Sequence, residues 1–168
     1  QCAVCNDSIL SQSTYRQWFT GFLFEDKIDK CFEETDDDGN TTMDPISFDY
    51  RVSNLCNFKC RMCGEQLSSA WETEKRQNDH WTPESEPFMV PENKAIIQKF
   101  QKDVVEEEFW EDIKSGTVEE IYWVGGEPLM YEQHWRYMRR IIELGDGQRV
   151  YARYNTNLSR VDYGGSNL

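Results

Sequence analysis

The stretch Asn54-Leu55-Cys56-Asn57-Phe58-Lys59-Cys60-Arg61-Met62-Cys63-Gly64 decides how the rest of the chain is read. It sets three thiols within eight residues as CxxxCxxC. Thiols this close cannot all pair locally as disulfides, whereas a looping backbone can turn all three toward one multinuclear iron cluster. In a cluster of four irons, three local thiolates leave one iron for a distant ligand or for a substrate. Closely spaced cysteines also build structural zinc sites, usually as CxxC pairs with four ligands.

Working outward, Phe48, Tyr50 and Val52 alternate with Asp49 and Arg51, a period of two that predicts a strand entering the cysteine loop. Beyond the loop, Leu67, Ala70, Trp71 and Glu74 predict a short helix, and residues 77–90, with Pro83 and Pro87, predict a long loop. Pro91 suits a first helical turn. Ile96, Ile97, Phe100, Val104, Val105 and Phe109 then form one helical apolar face, with Glu106, Glu107 and Glu108 on its solvated side. The run Ile121-Tyr122-Trp123-Val124 reads as a strand buried on both faces. It is followed by a helix with Tyr131, Trp135, Met138 and Ile142 on one face and Gly145 as its left-handed stop. Residues 150–154 form a third strand that ends at Asn155-Thr156-Asn157. Strand, helix, strand, helix, strand predicts an α/β fold with right-handed βαβ units and a parallel sheet. In such sheets the chemistry gathers at the carboxyl ends of the strands, where the cysteine loop lies.

The second strand runs into Gly125-Gly126-Glu127-Pro128. Together with the cysteine loop, this resembles the radical S-adenosylmethionine (radical SAM) superfamily, whose CxxxCxxC follows the first strand of a partial (β/α) barrel and whose GGEP motif ends the second. A Gly-Gly turn with proline has an ordinary structural explanation on its own. Two motifs in the family's order, each at a strand end, are much more specific. The resemblance implies that Cys56, Cys60 and Cys63 hold a 4Fe-4S cluster and that the remaining iron chelates the amino and carboxylate groups of S-adenosylmethionine. It implies that Gly125, Gly126, Glu127 and Pro128 form the cofactor turn. Its glycines would let the backbone approach, and its carboxylate region would receive the methionine ammonium. Met62 stands where many relatives carry an aromatic residue beside the adenine. Asn155, Thr156 and Asn157 are placed to bond the ribose or carboxylate, although a polar turn with an asparagine cap explains them equally well from the local signal.

The implied reaction is reductive. An electron reaches the cluster from a reductant such as flavodoxin or ferredoxin, and S-adenosylmethionine is cleaved to methionine and a 5′-deoxyadenosyl radical. That radical abstracts hydrogen from an unidentified peptide or small-molecule substrate. No acid–base side chain is assigned, because the cofactors carry the difficult chemistry. An iron–sulfur electron carrier and a zinc-stabilised binding module remain as alternatives, and GGEP separates the first of these from an enzyme.

Residues 1–47 read as an irregular leader, and residues 48–168 as the N-terminal part of the core, about half of the family's barrel, with three βα units. The chain is therefore expected to be a piece of a longer protein. In the leader, Ser13 can cap a short helix bearing Tyr15, Trp18, Phe19 and Phe22, and the acidic run Glu33-Glu34-Thr35-Asp36-Asp37-Asp38-Gly39-Asn40 lacks the alternation of a calcium loop and reads as a solvated turn. Cys2 and Cys5 resemble the cysteine pair of radical SAM proteins with a twitch-type appendage, a candidate auxiliary iron–sulfur cluster or zinc site. Cys31 is unassigned, and His80 and His134 read as surface or packing residues.

The 168 residues carry 18 basic and 31 acidic side chains, a net charge of −13 that disfavours nucleic acid as a partner. Aromatic residues make up 14 %, too many for a disordered acidic chain. No stretch approaches the ~20 apolar residues that cross a bilayer, so no membrane association is expected. Cysteines used as ligands rather than staples place the protein in a reducing compartment, the cytoplasm.

Overall fold

A computed structural model describes residues 18–167. The chain divides into two compact units, Gln1–Asp44 and Pro45–Leu168. In the first, a π-helical turn Phe19–Leu23 and a 3-10 turn Glu25–Lys27 lead into helix α1, Ile28–Glu33. Trp18 and Phe19 pack edge to face with ring centroids 5.1 Å apart. Ser13, Tyr15, Cys2 and Cys5 lie outside the described residues. The acidic run is a turn that satisfies itself. Asp36 Oδ1 accepts from the backbone N–H groups of Asp38 and Asn40 at 3.0 and 2.8 Å. The Asn40 side chain, foremost among these donors, holds the Asp36 carboxyl below its ordinary pKa.

The second unit is built on three parallel strands in the order β1-β2-β3: Ser47–Tyr50, Glu120–Trp123 and Tyr151–Tyr154. Tyr50 pairs with Trp123, and Trp123 with Tyr154, so the three strands end level and their exit loops share one edge. Strand β1 stops at Tyr50, two residues short of the alternation in the sequence. The Val124 N–H reaches Tyr50 O at 3.4 Å, and the backbone then leaves the ladder, although Val52 still packs against the core. Between β1 and β2 come helix α2, Ser69–Gln77, and helix α3, Pro91–Phe100. A π-helical turn, Gln101–Val105, joins α3 to α4, Glu106–Ser115, which ends at Gly116 with φ +74°. Helix α5, Glu132–Glu143, connects β2 to β3. A short antiparallel hairpin, β4 Asp162–Tyr163 and β5 Ser166–Asn167, turns on Gly164 and Gly165, both at positive φ. This is a mixed α/β fold with the strand order expected of a partial radical SAM barrel.

Only one face of the sheet is apolar. Tyr50, Ile121 and Trp123 bury against Phe109 and Ile113 of α4 and Tyr137 and Ile141 of α5. Ring pairs such as Tyr50–Phe109, with centroids 4.6 Å apart, lie within the range where aromatic geometry adds to simple burial. The intervening strand residues face the other way. There the Ser47 hydroxyl bonds Glu120, Arg153 Nε donates to Glu120 Oε1 at 2.5 Å, and the Arg153 guanidinium lies 4.3 Å from the Tyr122 ring centroid.

Two helix faces differ from the sequence expectation. The stripe of Ile96, Ile97, Phe100, Val104, Val105 and Phe109 is buried only from its C-terminal half, while Ile96 and Phe100 are 67 % and 57 % exposed. The π turn supplies the reason. Its extra residue rotates everything downstream by roughly 100°, so the two halves of one α-helical stripe cannot face the same core. In α5 the buried side chains are His134, Trp135, Tyr137 and Ile141, whereas Ile142 is 66 % exposed. Tyr131, Trp135 and Met138 of the expected face do pack inward, and only Ile142 turns out, because His134, Tyr137 and Ile141 shift the buried face round the helix.

Candidate functional site

The cysteine loop runs from the end of β1 to the start of α2, and the helix holds it by its N-terminal side chains. Ser68 caps α2, accepting from Trp71 N–H, and its hydroxyl donates to Phe58 O at 2.6 Å. The Ser69 hydroxyl accepts from Cys56 N–H and donates to Cys56 O, both at 3.0 Å. Trp71 Nε1 donates to Cys60 O at 3.0 Å, and Lys59 pairs with Glu74. Beneath the loop, Asn54 Nδ2 donates at 2.8 Å to both Glu65 O and Glu72 Oε2. Burial pushes the Glu72 carboxyl up, but bonds from Lys94, Asn54 and Arg76 outweigh it and leave the pKa below its ordinary value.

Cys56, Cys60 and Cys63 are all free thiols, Cys60 exposed and the other two half-buried. The Cys63 thiol is pushed up first by burial and then by its neighbours Cys60 and Cys56. Among the described residues, no group of three His, Cys, Asp or Glu stands as a ready-made site for a single metal ion. The donor set nevertheless suits an iron–sulfur cluster. Three thiols on one strapped loop remain accessible, and Cys56 Sγ accepts from Phe58 N–H at 3.4 Å and from Asn157 Nδ2 at 3.8 Å. Such donors to sulfur are a recurrent feature of cluster ligation.

The Gly125–Pro128 turn packs directly on the entrance to that loop. Gly126 N–H donates to Ser53 O at 3.2 Å and Glu127 N–H to Leu55 O at 2.7 Å. Gly125 has φ +101°, a conformation that side chains disfavour. A Cβ at Gly126 would lie 2.3 Å from Leu55 O and 2.5 Å from the Tyr131 hydroxyl. That hydroxyl donates to Ser53 O at 2.7 Å, closing the turn on the loop. The close approach that Gly126 permits is thus to the protein's own cysteine loop.

Glu127 is 1 % exposed, and its carboxylate is engaged by the chain itself. Oε1 accepts from Leu129 N–H at 3.1 Å and from the Thr156 hydroxyl at 2.6 Å, and Oε2 accepts from Asn157 N–H at 2.7 Å. Pro128 is buried, Met62 is 91 % exposed on the cysteine loop, and Asn155 is exposed at the end of β3. The structure therefore gathers Cys56, Gly125, Gly126, Glu127 and Asn157 at one edge of the sheet. Sequence reasoning passed over Ser68 and Ser69 and read Trp71 only as part of a short helix. The one available signal was a serine immediately before an amphipathic helix, the mark of an N-cap.

The family model of the radical SAM superfamily matches residues 50–164. The chain belongs to the radical SAM superfamily. No curated protein and no solved structure gives a match. Members of this superfamily are enzymes that perform S-adenosylmethionine-dependent radical chemistry, generally use a 4Fe-4S cluster, and typically need a reductant. Of this radical SAM domain, the matched span runs from the last residue of β1 to the turn of the β4–β5 hairpin and covers both motif loops. Among the described residues, no helix is long and apolar enough to cross a membrane.

Proposed function

We propose that this chain binds a 4Fe-4S cluster through Cys56, Cys60 and Cys63 and S-adenosylmethionine against the Gly125–Pro128 turn, and that it acts on a polar small molecule or peptide. The observation that carries the reading is the backbone union of the two motif loops through Gly126 N–H to Ser53 O and Glu127 N–H to Leu55 O. An electron carrier has no need for a second loop welded to its ligand loop. The bound cluster, once reduced, supplies the electron that breaks a carbon–sulfur bond of S-adenosylmethionine.

In this reading each residue has a separate task. The three thiolates hold iron, and Ser69 and Trp71 keep the loop backbone in place for them. The half-buried backbone at Gly125 and the exposed side chains of Met62 and Asn155 face the cofactor. Glu127, with its carboxylate already engaged, acts by holding the ends of β2 and β3 together. The polar sheet face that carries Asp49, Tyr122 and Arg153 is suited to a hydrophilic substrate. Cys2 and Cys5 form an auxiliary cluster or zinc site of the twitch type, a proposal supported by their CxxC spacing. A flavodoxin or ferredoxin is the reductant, and the compartment is the cytoplasm, a reading supported by the use of cysteines as ligands rather than as disulfides.

The test is anaerobic reconstitution with iron and sulfide, then incubation with S-adenosylmethionine and dithionite. Formation of 5′-deoxyadenosine is expected from the wild type. Iron bound without 5′-deoxyadenosine would identify an electron carrier, and zinc bound with no brown chromophore would identify a binding module.

A further inference from the structure

The residues after β3 make hydrogen bonds that cofactor binding leaves without a purpose. The Glu127 carboxylate fixes the Thr156 hydroxyl and the Asn157 backbone N–H. With its backbone held there, Asn157 extends its side chain across to the cysteine loop from a different strand. Its Nδ2 donates to Cys56 Sγ at 3.8 Å and to Asn57 Oδ1 at 3.2 Å. Its Oδ1 accepts from Ser159 N–H at 2.8 Å, and the Ser159 hydroxyl donates to Asn57 Oδ1 at 3.0 Å. The Ser159 bond decides the orientation of the amide, because an N–H must meet oxygen, and this leaves nitrogen toward the sulfur.

We propose that Asn157 is a positioning residue that raises the reduction potential of the cluster through an N–H···S hydrogen bond to Cys56, with Glu127 holding it in place. The inference rests on the reading of Cys56 as a cluster ligand. Reduction adds negative charge that is shared with the ligating sulfurs, and a donor aimed at a sulfur stabilises the more negative state. The need is local, because a chain of net charge −13 presents a field that opposes added negative charge. Phe58 N–H, at 3.4 Å, is a second donor to the same sulfur, but it belongs to the loop's own backbone. Asn157 instead ties the potential to the placement of β3 against the cysteine loop. The two asparagines thereby part company: Asn155 faces the cofactor and Asn157 the cluster.

The test compares the full chain with Asn157→Leu and Asn157→Asp after anaerobic reconstitution, titrating the reduced cluster by electron paramagnetic resonance without S-adenosylmethionine. The Glu127 bond uses the Asn157 backbone, so both substitutions leave that tie intact. Asn157→Leu should lower the reduced-to-oxidised ratio at fixed potential about tenfold, a shift of 59 mV for a one-electron couple. Asn157→Asp should lower it further, since it keeps the oxygen that Ser159 requires and replaces the donor with a negative charge. If either variant loses iron, the wild type decides: asparagine labelled with 15N at the side-chain amide should give a nitrogen coupling on the reduced cluster. Unchanged potentials in iron-replete variants, or no such coupling, would overturn the proposal. A wild type that forms no cluster at all would overturn the ligand assignment instead.

Discussion

The cysteine loop and the Gly125–Pro128 turn meet at one edge of the sheet but are held by opposite means. Polar straps from Ser68, Ser69 and Trp71 fix the backbone of the first, and its thiols remain accessible. The second is set into the core, with Glu127 and Pro128 buried and with no room for a single Cβ at Gly126. In the proposed function, one half of the family signature carries the chemistry at little cost to stability, and the other carries stability on which that chemistry rests. Substitutions in the two halves should therefore fail differently.

The largest expected effect is functional. Cys60→Ala removes an exposed thiol of the proposed ligand set, so iron content and 5′-deoxyadenosine formation should fall to background while stability in urea changes by less than about 0.5 kcal/mol. A large loss of stability would place Cys60 in the framework and break the contrast. Gly126→Ala should do the reverse. Its Cβ meets backbone that cannot yield without reshaping the cysteine loop, so unfolding in urea should show a loss of about 3 kcal/mol or more. An unchanged midpoint would mean that the turn is free to move.

The buried end should also respond to acid. His134 packs 4.9 Å from the Trp123 ring, its Nε2 lies 2.9 Å from the Tyr154 hydroxyl, and its Nδ1 has no partner. Burial pushes its pKa from 6.5 down to about 4. The unfolded chain therefore takes up a proton that the folded chain refuses, and stability present above pH 6.5 is lost as the pH falls toward 4. Thermal unfolding should show a loss of about 2 kcal/mol by about pH 5, and His134→Gln should remove that part of the slope. A slope identical in the variant would assign the acid sensitivity to the carboxylate networks. The smallest effect belongs to the straps. Ser69→Ala should cost about 1 kcal/mol and speed amide exchange in residues 56–63 before any global change.

The same contrast explains what the sequence made legible. Strands β2 and β3, the parallel order and both motif loops follow from short apolar runs and punctuating glycines, which are local signals. The phase of α3 and α4 does not, because the π turn at Gln101–Val105 leaves no mark in apolar spacing. The burial of His134 and Tyr137 was equally hidden, since it depends on partners from β1 and β3. The C-terminal hairpin had its signal in Gly164-Gly165. For the site, residue types singled out the three thiols and the glycine turn, whereas the tie from Glu127 to Asn157 joins residues whose proximity only the parallel sheet creates.

The central claim is that the three free thiols of the cysteine loop and the turn packed against that loop form one cofactor site. The most direct test is the electron paramagnetic resonance spectrum of the reduced, reconstituted protein, recorded before and after adding S-adenosylmethionine. A shift of the cluster signal on addition is predicted for the wild type, and Cys60→Ala should give no such signal. A wild-type spectrum unchanged by S-adenosylmethionine would contradict the account.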